Sequence, residues 1–193
     1  MRKIFLNTAK VLLFIVGFTA ALWYFLPYSE VGRVLMTIAH SKLSEQGMRL
    51  AYSDITDEPD GFTINNLALE GRFNISFSSL TIRPRLLSSL LSLAGVCNID
   101  FRSCNITLGQ RLNIGDGHFL MTATPSEVLL EDLRTNGDFR INGYLTVNTS
   151  TMKIGQAEAR INVPEEFAAG LNLLKSFLPL EQDKNGQWYL RRH

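Results

Sequence analysis

Four times the chain repeats one interrupted alternation of apolar residues. Phe62 and Ile64 alternate, Asn65 and Asn66 intervene, and Leu67 and Leu69 resume in the opposite parity. Ile75 and Phe77 do the same across Ser78 and Ser79 to Leu80 and Ile82, and Ile99 and Phe101 across Arg102 and Ser103 to Cys104 and Ile106. Met152 and Ile154 repeat it across Gly155 and Gln156 to Ala157 and Ala159. In a strand of strict period two, the second half of each apolar set would turn to the wrong face. One extra residue restores the face and bends the strand. The pattern predicts a curved sheet of bent strands with one apolar side, lined by Phe62, Ile64, Leu67, Ile75, Phe77, Leu80, Ile99, Phe101 and Ile106. The same runs also read as short hairpins, although only Asn142-Gly143 and Asn185-Gly186 are strong two-residue turn pairs.

The chain's 2 cysteines fall in one such stretch. On a single bent strand the seven steps from Cys97 to Cys104 span ~23 Å, far beyond the ~4.4–6.8 Å between Cα atoms that a disulfide needs. Both then read as small buried apolar residues. If Arg102-Ser103 is instead a tight turn, the two sulfurs meet across a hairpin and a disulfide is available. No C-x-x-C or third ligand at metal spacing accompanies them.

The run from Ile4 to Leu26 is almost wholly apolar, and Val11 to Leu26 carries no charge. At ~1.5 Å per residue, that uncharged stretch forms a helix of ~24 Å, and the turns from Ile4 extend it past the ~30 Å of a bilayer core. Arg2, Lys3 and Lys10 are the only charges before Tyr28, which predicts a cytoplasmic N-terminus and a body on the far side. A signal peptide cleaved after Ala21 is the rival reading, with an awkward apolar mature start. The formal net charge is +1, so the chain after those three cations carries −2. With no basic run, it offers no footprint for nucleic acid.

Residues 29–46 read as an amphipathic helix with Val31, Val34, Leu35, Ile38, Ala39 and Leu43 on one face, Ser29 as cap and Gly47 as stop. That face is expected to pack on the domain, with a membrane surface as the alternative. Residues 84–94 open with proline and place Leu86, Leu87, Leu90, Leu91 and Ala94 on a stripe. Residues 164–177 place Phe167, Leu171, Leu174 and Phe177 along one face, a candidate partner-contact helix. Thr124-Pro125-Ser126-Glu127 has the form of a capping box, and the VLLEDL that follows suits helix or strand. The layout is a cytoplasmic start and anchor over 1–28, an amphipathic helix over 29–47 and a β-rich domain over 48–193. The expected class is α+β, mainly β: one N-terminal transmembrane helix, then a curved bent-strand sheet with flanking amphipathic helices.

Catalytic signals are sparse. The 3 histidines, His40, His118 and His193, are scattered, and there is no glycine-rich phosphate loop, nucleophile elbow or metalloprotease motif. The acids between Asp54 and Asp60 do not follow the spacing of a hand-type calcium loop and read as an acidic turn. Sequons at Asn74, Asn105 and Asn148 matter only in a eukaryotic secretory pathway. The reading is a non-enzymatic chain with no cofactor and no metal.

The passages YFLPYSEVGRVL, DEPDGFTINNLALEG, FSSLTIRPRLLSSLLSLAG and INVPEEFAAGLNLLKSFLPLEQDKNGQWYLRR together resemble the GspN proteins of bacterial type II secretion, over nearly the whole chain. That family is similar in turn to the AsmA-like and bridge-like group, whose curved sheets form an apolar groove. The resemblance implies a single-pass inner-membrane protein with a periplasmic body. It would be an accessory secretion subunit that contacts other secretion-system proteins through an edge strand or the 164–177 helix. The alternative it implies is a module that binds lipid or another hydrophobic ligand in the groove.

Overall fold

The structure is a computed structural model that describes residues 17, 26–45, 47–71, 74–108, 110–151, 153–164, 171, 175, 179–183 and 187–192. Its strands are β1 (Arg49–Ala51), β2 (Asp54–Glu58), β3 (Gly61–Glu70), β4 (Asn74–Pro84), β5 (Gly95–Leu108), β6 (Gln110–Ala123), β7 (Glu127–Thr135), β8 (Arg140–Asn148), β9 (Ile154–Asn162), β10 (Leu180–Gln182) and β11 (Trp188–Arg192). Two helices fall wholly among the described residues, α1 (Tyr28–Glu45) and α2 (Leu86–Ser92). All strands join one antiparallel 11-stranded sheet, in the order β1-β3-β4-β5-β6-β7-β8-β9-β11-β10, with β2 also paired to β3.

The parity breaks in the sequence fall where the strands bend. Asn66 in β3 and Ser103 in β5 each take φ 50°, a left-handed conformation that asparagine tolerates better than most residues. Ser78 and Ser79 lie opposite the Asn66 bend, and β3 and β4 keep one register through it. In β9 the register against β8 shifts between Ile154 and Ala157, where Gly155 and Gln156 supply the extra residue. β7 bends as well. Asp132 takes φ 51°, and β7 carries one residue more than either neighbour there. The VLLEDL stretch is therefore a strand. The Thr124 hydroxyl accepts the Glu127 N–H as a capping box would, but it closes the β6–β7 turn.

An open twisted sheet rarely exceeds about ten strands without curling. Here one apolar cluster joins Phe101, Cys104, Leu112 and Ile114 of β5 and β6 to Ala159, Ile161, Trp188 and Leu190 of β9 and β11, with no residue of β7 between them. A flat sheet would hold β5 and β11 about 24 Å apart at the usual strand spacing. The sheet is therefore coiled about its apolar face. A second cluster sets Ile55, Phe62, Ile64 and Leu67 of β2 and β3 under Tyr28 and Met36 of α1.

Two expectations are corrected. Among the described residues no helix is long and apolar enough to cross a membrane. α1 carries Glu30, Arg33, Lys42 and Glu45, and α2 has 7 residues where a span needs about 20. Of the 4–26 run on which a span rested, only Gly17 and Leu26 lie among the described residues. Among the described residues the architecture is thus a mostly antiparallel β-sheet with two helices, not a transmembrane helix followed by an α+β body. The single-pass inner-membrane placement with a periplasmic body falls with it.

α1 begins one residue earlier than expected, and its N-terminus is capped from outside. The Ser29 N–H donates to one Asp57 carboxylate oxygen and the Ser29 hydroxyl to the other, both at 2.7 Å. Its C-terminus closes in a Schellman motif: Met48 N–H reaches the Leu43 carbonyl and Gly47 takes φ 74°. The two bonds from Ser29, with the Arg33 charge nearby, hold the Asp57 carboxyl below the usual aspartate range. A depressed folded value gives stability that is present above the unfolded value near 4 and is lost as pH falls through the folded one. Thermal melts of the wild type and Asp57→Asn are expected to differ at pH 6, the variant melting lower, and to converge as pH drops below about 4. Equal melts at pH 6 would show that this cap contributes nothing.

Candidate functional site

Strand register sorts the sheet into transverse rows of alternating character. Ile64, Leu80, Phe101 and Gly117 stand side by side on β3 to β6, and Phe62, Ile82, Ile99 and Phe119 form the next row of the same face. Between them, and so on the opposite face, runs a polar row: Thr63, Thr81, Asp100, His118, Arg134, Asn142 and Arg160. The rows explain both glycine at 117 and phenylalanine at 101. A Cβ on Gly117 would lie 2.4 Å from Phe101 Cζ and 2.3 Å from the Arg134 carbonyl oxygen, so the Phe101 ring lies across the neighbouring strand where a side chain would stand. Phe77 meets that ring edge-on at 5.7 Å, and Phe119 lies 6.3 Å from it.

The residues expected to line a groove are distributed as follows. Phe62, Ile64 and Leu67 are buried beneath α1, Ile99 and Phe101 are buried in the sheet's own face, and Ile75, Phe77, Leu80 and Ile106 are half-buried. α2 does not cover this face, since none of its residues is buried. Toward that end, Phe119, Met121, Leu130 and Leu145 are half-buried. Of the expected partner-contact helix, Leu171 is helical and buried in the main cluster. Lys175 donates its N–H to the Leu171 carbonyl and holds its ammonium 5.1 Å over the Trp188 ring. Phe167, Leu174 and Phe177 lie outside the described residues.

Cys97 and Cys104 are free, buried thiols on one strand, so the hairpin alternative and its disulfide do not apply. Burial raises both, Cys104 to about 12, which keeps them protonated. Among the described residues no group of three or more His, Cys, Asp or Glu could hold a metal. The acids of the 54–60 stretch bond elsewhere: Asp54 to Asn65, Asp57 to Ser29, Glu58 to Thr63 and Asp60 to Arg83.

The helices overturn the expected packing. α1 buries Tyr28, Ser29, Gly32 and Met36, not its apolar stripe. Gly32 lets the helix approach so closely that a Cβ there would meet the Phe62 ring at 2.8 Å. Val34, Leu35 and Ile38 consequently face solvent, 50–60% exposed. Sequence reasoning assigned the larger apolar stripe to the core. The spacing of Ser29, Gly32 and Met36 was the available signal for the face that packs.

The family model for the GspN-like type II secretion system proteins of the Synergistales matches residues 6–192. The chain belongs to this family. No curated protein and no solved structure matches it. The chain is thus a GspN-like type II secretion system protein.

Proposed function

We propose that the chain is a non-enzymatic accessory component of a type II secretion system that holds another protein of the machine on the outward stripe of α1. The observation that carries the reading is the reversed helix: Val34, Leu35 and Ile38 are presented to solvent while the Gly32 side packs inward. Glu30, Arg33 and Lys42 border the stripe with charges of both signs, the apolar centre and polar rim typical of a protein interface. The sheet's own apolar face is a poorer candidate at Phe62, Ile64 and Phe101, where its side chains fill the space. A second reading, a hydrophobic ligand on that face, draws on half-buried Phe119, Met121, Leu130 and Leu145, which α2 leaves uncovered.

The test is site-specific photocrosslinking from Ile38 in cells that carry the whole machine. A secretion component on the probe is the expected result. A probe that captures no protein of the machine overturns the reading.

A further inference from the structure

α2 is built inside out. At 100° per residue, Leu86, Leu87, Leu90, Leu91 and Leu93 share one arc, and Ser88, Ser89 and Ser92 share the other. It is the serine side that meets the protein. The Val96 N–H donates to the Ser89 hydroxyl at 2.9 Å, which ties this side to β5, while the exposed Ser92 hydroxyl donates back within the helix to the Ser88 carbonyl at 2.7 Å. Leu87, Leu90, Leu91 and Leu93 are 68–90% exposed. Four exposed leucines on one short element are beyond the scattered apolar residues of an ordinary surface and mark a contact site.

What this surface lacks identifies its partner. No charged residue occurs from Leu86 to Asn98, and the Ser89 and Ser92 hydroxyls are already bonded within the chain. A protein interface normally surrounds its apolar centre with a polar rim and about one hydrogen bond per 100–200 Å². Here Asp60 and Arg83 at the edge pair with each other, and the one unpaired charge among the described residues there is positive and on one side. Arg85, directly before the helix, is exposed and has no acid partner among the described residues. It stands at a cleft of about 420 Å³ lined by Asp60, Arg83, Pro84, Leu86 and Leu87. Arg83 in that cleft is already held between Asp60 and Asp100, which leaves Arg85 as the cleft's cation without an acid partner among the described residues. A leucine arc beside this arginine matches an amphiphile with an apolar body and an anionic head.

We propose that α2 rests on an anionic lipid surface, with Leu87, Leu90 and Leu91 entering the acyl boundary and Arg85 meeting the phosphates. With 7 residues the helix lies on such a surface and does not cross it. The inference does not depend on the protein contact proposed for α1.

The test places an environment-sensitive fluorophore on α2 in the full chain through Leu91→Cys, and on a control chain through Ser150→Cys. Cys97 and Cys104 are buried and escape labelling. Vesicles of phosphatidylcholine with phosphatidylglycerol are expected to shift the α2 label to the blue, and brominated acyl chains to quench it. The control label stays aqueous. Arg85→Glu in the labelled chain is expected to weaken the anionic-vesicle titration by at least about fivefold and to leave the response to neutral vesicles unchanged. Leu87→Asp with Leu90→Asp is expected to abolish the shift. An α2 label that stays aqueous with vesicles overturns the proposal. So does a label shielded without vesicles at rising protein concentration, which would assign the surface to a second copy, or one shielded only when a secretion protein is added.

Discussion

Replacing Phe62 by alanine is expected to cost about 3–5 kcal/mol, the range for truncating a large core aromatic. Phe62 is 1% exposed and belongs to the cluster that β2 and β3 share with α1. Its ring fills the space that Gly32 leaves open, with Ile55 on the same side. The cavity would therefore open beneath α1, whose remaining attachments are Tyr28, Met36 and the Asp57 cap. Typical domains hold 5–15 kcal/mol in total, so a loss of about 3–5 is a large share of the stability. Urea midpoints give the magnitude, and amide exchange gives the location: α1 should lose protection before β8 and β9 do. A loss of less than about 1 kcal/mol, well under the aromatic range, would mean that α1 is not seated on Phe62.

Trp188→Ala carries a comparable expectation at the opposite edge of the sheet. Trp188 is among the largest fully buried side chains, on the strand that joins β9 to the edge strand β10. Ile161 is its register partner on β9 and Gln182 on β10, and Lys175 lies over its ring. Truncation removes the packing and the cation–π contact together, again about 3–5 kcal/mol for a buried aromatic. At a urea slope of about 1–3 kcal/mol per molar, the midpoint should fall by 1 M or more. Trp188→Phe should recover most of that loss. If alanine and phenylalanine behave alike and both leave the midpoint unmoved, the β9-β11-β10 end of the sheet is not anchored by this ring.

The strands were largely legible because a bent strand leaves its mark in residue parity. Asn66, Ser103 and Gly155-Gln156 interrupt the alternation where the backbone departs from regular pleating. β7 carries the same mark at Glu131-Asp132, between Leu130 and Leu133, but the Thr124-Pro125-Ser126-Glu127 pattern, in which the Glu127 N–H donates to the Thr124 hydroxyl, suits a helix cap as well as the turn it forms and hid it. The helices misled for a different reason. A periodic apolar stripe shows that a helix has two faces and does not say which one meets the protein. In α1 close approach through Gly32 outweighed burial of Val34, Leu35 and Ile38, and in α2 the Ser89–Val96 bond placed the serine side inward. Three of the four residues of the expected 164–177 contact face, and nearly all of the 4–26 run, lie outside the described residues.

The most direct measurement compares two photocrosslinking probes in cells that carry the complete secretion machine, one at Ile38 and one at Phe101. A protein of the machine is expected on the Ile38 probe, and only contacts within the chain from Phe101, whose neighbours are Phe77, Phe119 and Gly117. Lipid captured from Phe101, with nothing captured from Ile38, would contradict this expectation and make the apolar face of the sheet the working surface.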